Sequence, residues 1–357
     1  MERKIEYRQL VFILVLFMMV QFLGLLTVFY FIPPSLLESS VTQVSASAAS
    51  SAMQAIYFFF YIILGTVVLL LIFRFYHGSK IYPIIEGIVV VSASFYFFII
   101  ILSSLFPQES ATYYVAAASV AIPVILLVAK YKKPQLRNTV AIIASTGAGI
   151  VLGLVFPLFE AFIFMAIIAV YDYVSVFVTR HMLTLGREAV NRNMALLIGA
   201  SDIELMPKEY LSKKAFESFR KHFKTSSIKD KKVRALIKQG AVPVPTQAAL
   251  GTGDLAIPLM LAVSAYVSTL HYFTSLAITA SATLGLVFTM YMLKNYKIAL
   301  PAIPPLFSFI SLGMAVEFAF TGHVLLSIGL VLIGSSTIAL MLLTALRVSK
   351  EKGRSVF

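Results

Sequence analysis

The chain has no cysteine, and only 16 of its 357 residues are acidic. Without cysteine there is no disulfide and no thiolate metal site, so zinc held by cysteine is excluded and composition is silent on the redox compartment. The five histidines, His77, His181, His222, His271 and His323, show no metal-ligand spacing and read as interfacial residues. No metal or other cofactor is expected. A repeat of fixed period and a low-complexity tract are also missing. Lysine and arginine are absent from five particular stretches, 33–54, 107–112, 157, 271–272 and 321–323.

Apolar residues dominate what remains: 59% of the chain is hydrophobic, and the mean hydropathy of +0.91 lies far outside the globular norm. The bilayer is therefore the solvent to assume. A spanning helix needs roughly 20 apolar residues to cross a hydrocarbon core about 30 Å thick. Ten segments meet or approach that length, near 10–32, 55–75, 83–106, 113–129, 139–156, 158–178, 250–270, 273–293, 300–320 and 324–346. The first is too long for the apolar core of a cleavable signal peptide and reads as a retained span. The expected fold is an all-α, polytopic integral membrane bundle of nine to ten transmembrane helices, ten being the simplest count.

A net charge of +13 raises the question of nucleic acid, but the placement of the charges argues against it. All 29 basic residues fall before the first span, in 74–82, 130–138, 179–249 and 294–299, or after 346. The five stretches without them are the alternate connections. By the positive-inside rule the N-terminus, the 179–249 loop and the C-terminus are cytoplasmic. The basicity is topological information, with attraction to anionic membrane lipids as a secondary effect.

Three parts are expected: a six-span bundle at 1–178, a basic cytoplasmic loop at 179–249, and a four-span bundle at 250–357. Within the loop, Phe216, Phe219 and Phe223 recur at helical spacing among lysines after Pro207. Such a helix either lies on the cytoplasmic leaflet or rests on the rest of the protein. The AVPVP stretch at 241–245 cannot be helical, because alternate prolines force extended backbone before them. It reads as a strand or polyproline-like approach to the seventh span. The small and polar stretch 39–52 reads as the long outside loop. Gly149 and Gly153 form a small-xxx-small pair suited to close helix packing.

Charged groups at membrane depth cost about 2.5 to 3.5 kcal/mol on insertion scales, so each is a functional candidate. Glu86, Glu160 and Glu317 sit near span ends and read as interfacial. Asp172 stands about six residues, roughly 9 Å, inside the cytoplasmic end of the sixth span. Asp254 stands about four residues, roughly 6 Å, inside the same end of the seventh, which runs the opposite way. Topology thus makes the two carboxylates level. Two such groups close together in a poorly solvated site cannot both ionise cheaply, so the pair shares a proton. One member then activates water for attack on a peptide carbonyl, and the other hydrogen-bonds the carbonyl oxygen.

Two neighbouring motifs bear on this pair. GTGD at 251–254 supplies glycines that permit unusual backbone angles and close approach of another chain. ALPAIPP at 299–305 opens the ninth span irregularly, at the same level as the aspartates. Its alternative reading is a helix start with proline in the first turn.

Together, YD at 171–172, GTGD at 251–254 and ALPAIPP at 299–305 resemble the presenilin and signal peptide peptidase family of GxGD intramembrane aspartyl proteases, closest to its short archaeal-type members. The motifs stand in the family's order, on the sixth, seventh and ninth spans. The resemblance covers roughly 80–320 and implies that Asp172 and Asp254 are the catalytic pair. It further implies that Tyr171, Gly251, Thr252, Gly253, Pro301, Ala302 and Ile303 shape the active site or bind substrate. Ile303 replaces the leucine of the family's Pro-Ala-Leu motif, and a tenth span follows where nine are usual. The implied partners are single-span transmembrane or signal-peptide substrates, which enter laterally and unwind. The 242–245 segment could pair with the unwound stretch as an edge strand does. A proton-coupled transporter using the two aspartates as a relay is the main rival, but it should carry an internal repeat with matching helix interruptions, and Pro301 has no counterpart in the first half. A prepilin-peptidase type of GxGD protease should have fewer spans.

Overall fold

A computed structural model describes residues 7–33, 81–179, 195, 197–207, 241–296 and 300–354, with single helical positions at 57, 60 and 64. The span expected at 55–75, the loop at 39–52 and the amphipathic segment at 208–223 lie outside the described residues, as do His77, His181 and His222. The helices are α1 (Tyr7–Phe31), α2 (Ile81–Leu105), α3 (Thr112–Lys132), α4 (Arg137–Val155), α5 (Leu158–Phe177), α6 (Thr252–Thr269), α7 (Tyr272–Tyr296), α8 (Ile303–Phe320) and α9 (Val324–Arg354). Among the described residues, these 9 helices are each long and apolar enough to cross a membrane. The protein is a multi-pass integral membrane protein with an all-helical membrane domain.

Helices are what this composition dictates, because backbone groups in lipid must be satisfied within the segment. The polar side chains follow the same rule. Ser145, Thr146, Ser308 and Ser311 each donate a hydroxyl to the carbonyl four residues earlier, at 2.7 to 2.8 Å. That back-bonding removes the hydroxyl's need for water.

Two compact units are present. The larger comprises Leu14–Ile198 and Leu250–Phe357, and the smaller Met1–Ile13 and Gly199–Ala249. β1 (Leu197–Pro207) and β2 (Ala241–Gly251) pair as a two-stranded sheet, most of which belongs to the smaller unit. The first two residues of β1 and the last two of β2 belong to the larger unit. The proline-alternating stretch 241–245 is thus strand, the first of the two conformations its sequence allows.

At the centre of the larger unit is α6, buried at every position from Leu255 to Val267. Small residues and backbone contacts hold it there. A β-carbon on Gly149 of α4 would stand 2.9 Å from the Ala256 carbonyl oxygen, and one on Gly153 would stand 2.7 Å from that of Met260. Ser264 donates to the Phe156 carbonyl at 2.6 Å, and Ser275 of α7 donates to the Ala262 carbonyl at 2.8 Å. From α1, the Gln21 side-chain amide donates to the Leu255 carbonyl at 3.0 Å. Lipid tails are as apolar as leucine, so close packing and such bonds, rather than the hydrophobic effect, drive helix association in a bilayer. The small-xxx-small reading of Gly149 and Gly153 is realised in the seam between α4 and α6.

On the other side, α8 lies between α7 and α9. A β-carbon on Gly285 of α7 would stand 3.1 Å from the Pro305 carbonyl oxygen, and one on Gly334 of α9 would stand 2.8 Å from that of Ser308. Ser327 of α9 donates to the Ala315 carbonyl at 2.7 Å. The last helix is therefore packed directly on the helix that the Pro-Ala-Ile sequence opens.

Gly153→Leu forces α4 off the α6 backbone. It should lower the thermal midpoint in detergent, at an overpacking cost of about 1 to 3 kcal/mol. An unchanged midpoint would show that the seam is looser than these distances require.

Candidate active site

Asp172 lies five residues from the end of α5, on a stripe of buried positions that includes Ala161, Met165, Ile168, Asp172, Ser175 and Val176. That three-and-four spacing turns Asp172 inward, where it is 8% exposed. Ser175 donates to its backbone carbonyl at 2.9 Å. Tyr171, one residue back on the helix, is half-buried.

Asp254 belongs to the first turn of α6, and β2 runs straight into that turn with no intervening loop. The last strand residue, Gly251, is the helix N-cap at φ −66° and ψ 146°. Its backbone N–H donates to Oδ2 of Asp254 at 3.3 Å. This is one half of a capping box, and glycine has no side chain to supply the other half. Pro258 carries no N–H, so the Asp254 carbonyl has no donor from position 258 and the first turn of α6 is loosened. Asp254 keeps intermediate exposure, unlike Asp172.

The third component is the start of α8. Pro301, Ala302 and Ile303 are all buried. The Ile303 N–H donates to Oδ2 of Asp172 at 3.3 Å, and the Ala302 amide also reaches that carboxylate. Helix N-termini leave unsatisfied N–H groups and carry partial positive charge. Here Pro304 and Pro305 remove two of those donors, and the Ile303 N–H, the first in the helix, is the one that joins Ala302 at Asp172. The first-turn proline reading of ALPAIPP is correct as local structure, and it coexists with a contact to the aspartate. The two carboxylates themselves lie close enough to repel one another.

The structure thus brings together Asp172, Asp254, Gly251, Ala302 and Ile303. Thr252 opens α6 and is half-buried, and Pro301 is buried one residue before Ala302. Gly253 is exposed, and a β-carbon there would meet nothing within 4 Å. Neither Gly251 nor Gly253 takes a positive φ. The expectation of unusual backbone angles fails for both, and what glycine provides is space. An open depression of about 640 Å³ that includes His271, Tyr272 and Glu317 lies at the opposite end of α7 and α8, away from both aspartates.

Two expectations about acids also change. Glu86 and Glu160 are not interfacial but buried, at 2% and 7% exposure. Glu86 forms a buried ion pair with Lys130 and accepts a hydrogen bond from Tyr131 at 2.9 Å. The signal for that pair was available in the order of spans, because Glu86 and Lys130 stand at the same end of neighbouring antiparallel segments. Nothing local in the sequence pointed to Gln21 beside the α6 backbone.

Two carboxylates on neighbouring helices inside a membrane bundle, each with a backbone N–H donor, are the arrangement expected of a membrane-embedded aspartyl hydrolase. The family described as signal-peptide peptidase, presenilin aspartyl protease matches residues 14–323, and the chain belongs to that family. The match begins well before residue 80, so the N-terminal span is part of the family fold, whereas α9 lies beyond the matched region. The chain is an integral membrane aspartyl protease. Two solved structures of a presenilin family intramembrane aspartate protease, in space groups C222 and P2, share the fold. The first is 18% identical with a TM-score of 0.52, covering 85% of this chain and 96% of its own. The second is 20% identical with a TM-score of 0.52, covering 86% and 96%. No protein of curated function matches the chain.

Because the space over Gly253 is open, Gly253→Ala should leave the thermal midpoint unchanged or raise stability by up to about 1 kcal/mol through helix propensity. If substrate occupies that open space, cleavage should nevertheless fall. A drop in both would make the position structural rather than functional.

Proposed function

We propose that Asp172 and Asp254 are the catalytic pair, and that the enzyme hydrolyses peptide bonds within transmembrane helices or signal peptides. The observation that carries this reading is the joint placement of the two carboxylates, with the Ile303 amide on one and the Gly251 amide on the other. One aspartate, ionised, takes a proton from the attacking water. The other, protonated, donates to the carbonyl oxygen as negative charge develops there. The pair titrates as a unit, so either member can hold the proton at a given moment.

A helical peptide bond is shielded by its own hydrogen bonds, so the substrate must unwind before it is cut. β2 leads directly into the Asp254 helix, which supports a reading in which the unwound stretch pairs with this strand. Pro301, Ala302 and Ile303, together with Gly251, Thr252 and Gly253, line the approach to the pair, and Tyr171 adjoins it on α5. The positions of the basic residues support a cytoplasmic side for the aspartates, both termini and the 179–249 segment.

Purified protein in liposomes, given a labelled single-span peptide, tests the pair. Asp172→Asn and Asp254→Asn should each reduce cleavage by about a thousandfold or more with the fold retained, and the wild type should show a bell-shaped pH profile. Residual cleavage near wild-type level in either variant would remove that aspartate from the mechanism. Replacing Val242 and Val244 with proline takes away ladder donors and should weaken cleavage of long substrates. Equal cleavage would exclude pairing through those two amides.

A further inference from the structure

Glu86 and Lys130 are each 2% exposed, on α2 and α3, at the end of the bundle that carries Asp172 and Asp254. Burying two charges is repaid only when geometry is good and further hydrogen bonds satisfy what the pair leaves over. The Glu86 carboxylate meets that condition through three donors. Lys130 pairs with Oε1, the Tyr131 hydroxyl donates to Oε2 at 2.9 Å, and the backbone N–H of Ala195 donates to Oε1 at 2.6 Å. Lys130 also lies over the Tyr131 ring, 4.8 Å from its centre. Joining α2 to α3 does not require charge, since apolar side chains would do so more cheaply in lipid. What apolar side chains cannot do is hold a backbone N–H belonging to a third part of the chain.

That third part is the connection leaving the Asp172 helix. Ala195 is fully buried, β1 begins two residues later at Leu197, and Ile198 is again fully buried. β1 pairs with β2, and β2 ends on the glycine whose N–H meets Asp254. We propose that Glu86 is a positioning residue. By holding Ala195 it fixes the root of β1, and through the paired strands it sets the register in which an unwound substrate is presented and hence the bond that is cut. This rests on the protease reading with strand pairing given above.

The experiment compares Glu86→Gln and Ala195→Pro with wild type in liposomes. Ala195→Pro takes away the N–H while leaving the Glu86 and Lys130 side chains in place, at the cost of a ring that also fixes φ at this buried position, and it serves as the second variant if Glu86→Gln fails to fold. Glu317→Gln, at the other end of the bundle, is the control. Product ends are read by mass spectrometry on one single-span peptide, and amide exchange is read over 195–198. The expected result is about a tenfold rise in exchange at 196–198 in both variants, together with a threefold or larger change in the ratio of neighbouring cut sites. The control should keep the wild-type pattern. Unchanged exchange, or a wild-type ratio of cut sites in folded Ala195→Pro, overturns the proposal while leaving the protease reading intact. A uniform fall in rate at unchanged sites also overturns it, because that is the signature of a merely structural role. A wild type that cuts no peptide overturns the protease reading and this proposal with it.

Discussion

The bond between the Ile303 amide and Asp172, with its counterpart between the Gly251 amide and Asp254, is the constraint around which the membrane bundle is organised. A carboxylate at membrane depth is costly, and the chain places no lysine or arginine beside either aspartate in sequence. Backbone amides are the alternative. They come from the starts of two helices, where N–H groups lack partners along the helix. A full positive charge would tie up the carboxylates and hold both ionised, whereas one or two backbone amides leave part of each carboxylate's hydrogen-bonding capacity unused. The cost is geometric: three helix segments must meet within hydrogen-bonding distance.

That geometry is secured by contacts with no chemistry of their own. Gly149 and Gly153 let α4 reach the α6 backbone, Gln21 supports the Leu255 carbonyl one residue beyond Asp254, and Ser275 joins α7 to α6. On the far side, Gly285 and Gly334 bring α7 and α9 against α8, and the Phe162 and Phe307 rings pack α5 on α8, with centres 5.0 Å apart. Every one of these contacts involves backbone, a small residue or an aromatic face. In lipid, bulk apolarity does not discriminate between helix neighbours, so close approach and local hydrogen bonds decide the arrangement. The final helix, outside the family-matched region, is drawn into the same logic through Gly334 and Ser327.

The buried acids mark the limit of reading a membrane sequence by depth alone. Glu86 and Glu160 stand near span ends, which made them interfacial on paper, yet both are inside the protein. Depth along a span is a one-dimensional quantity. Whether a residue at that depth faces lipid, water or another helix depends on rotation about the helix axis and on the neighbours there. Glu86 has Lys130, Tyr131 and Ala195 on its side, from two other parts of the chain. The glycines of GTGD were misread in a related way. Their residue type suggested special angles, but both have ordinary φ, and the property in use is the absence of a side chain.

Hydrophobic length and the positions of lysine and arginine were enough to read from the sequence a helical membrane protein, nine of its ten expected spans and the shared level of Asp172 and Asp254. Those properties are set by the bilayer, a solvent of fixed thickness that acts on each segment independently. The proline-alternating run before Gly251 likewise announced extended backbone, because proline constrains its own neighbours wherever it occurs. Tertiary structure decided the rest: that the Ala302 and Ile303 amides at the start of α8 meet Asp172, that the Gly251 amide donates to Asp254, and that Glu86 is half of a buried ion pair rather than a surface charge. These are relations between residues far apart in the chain. They depend on which helix lies beside which and how each is rotated, and close packing settles that only when all the helices are present together.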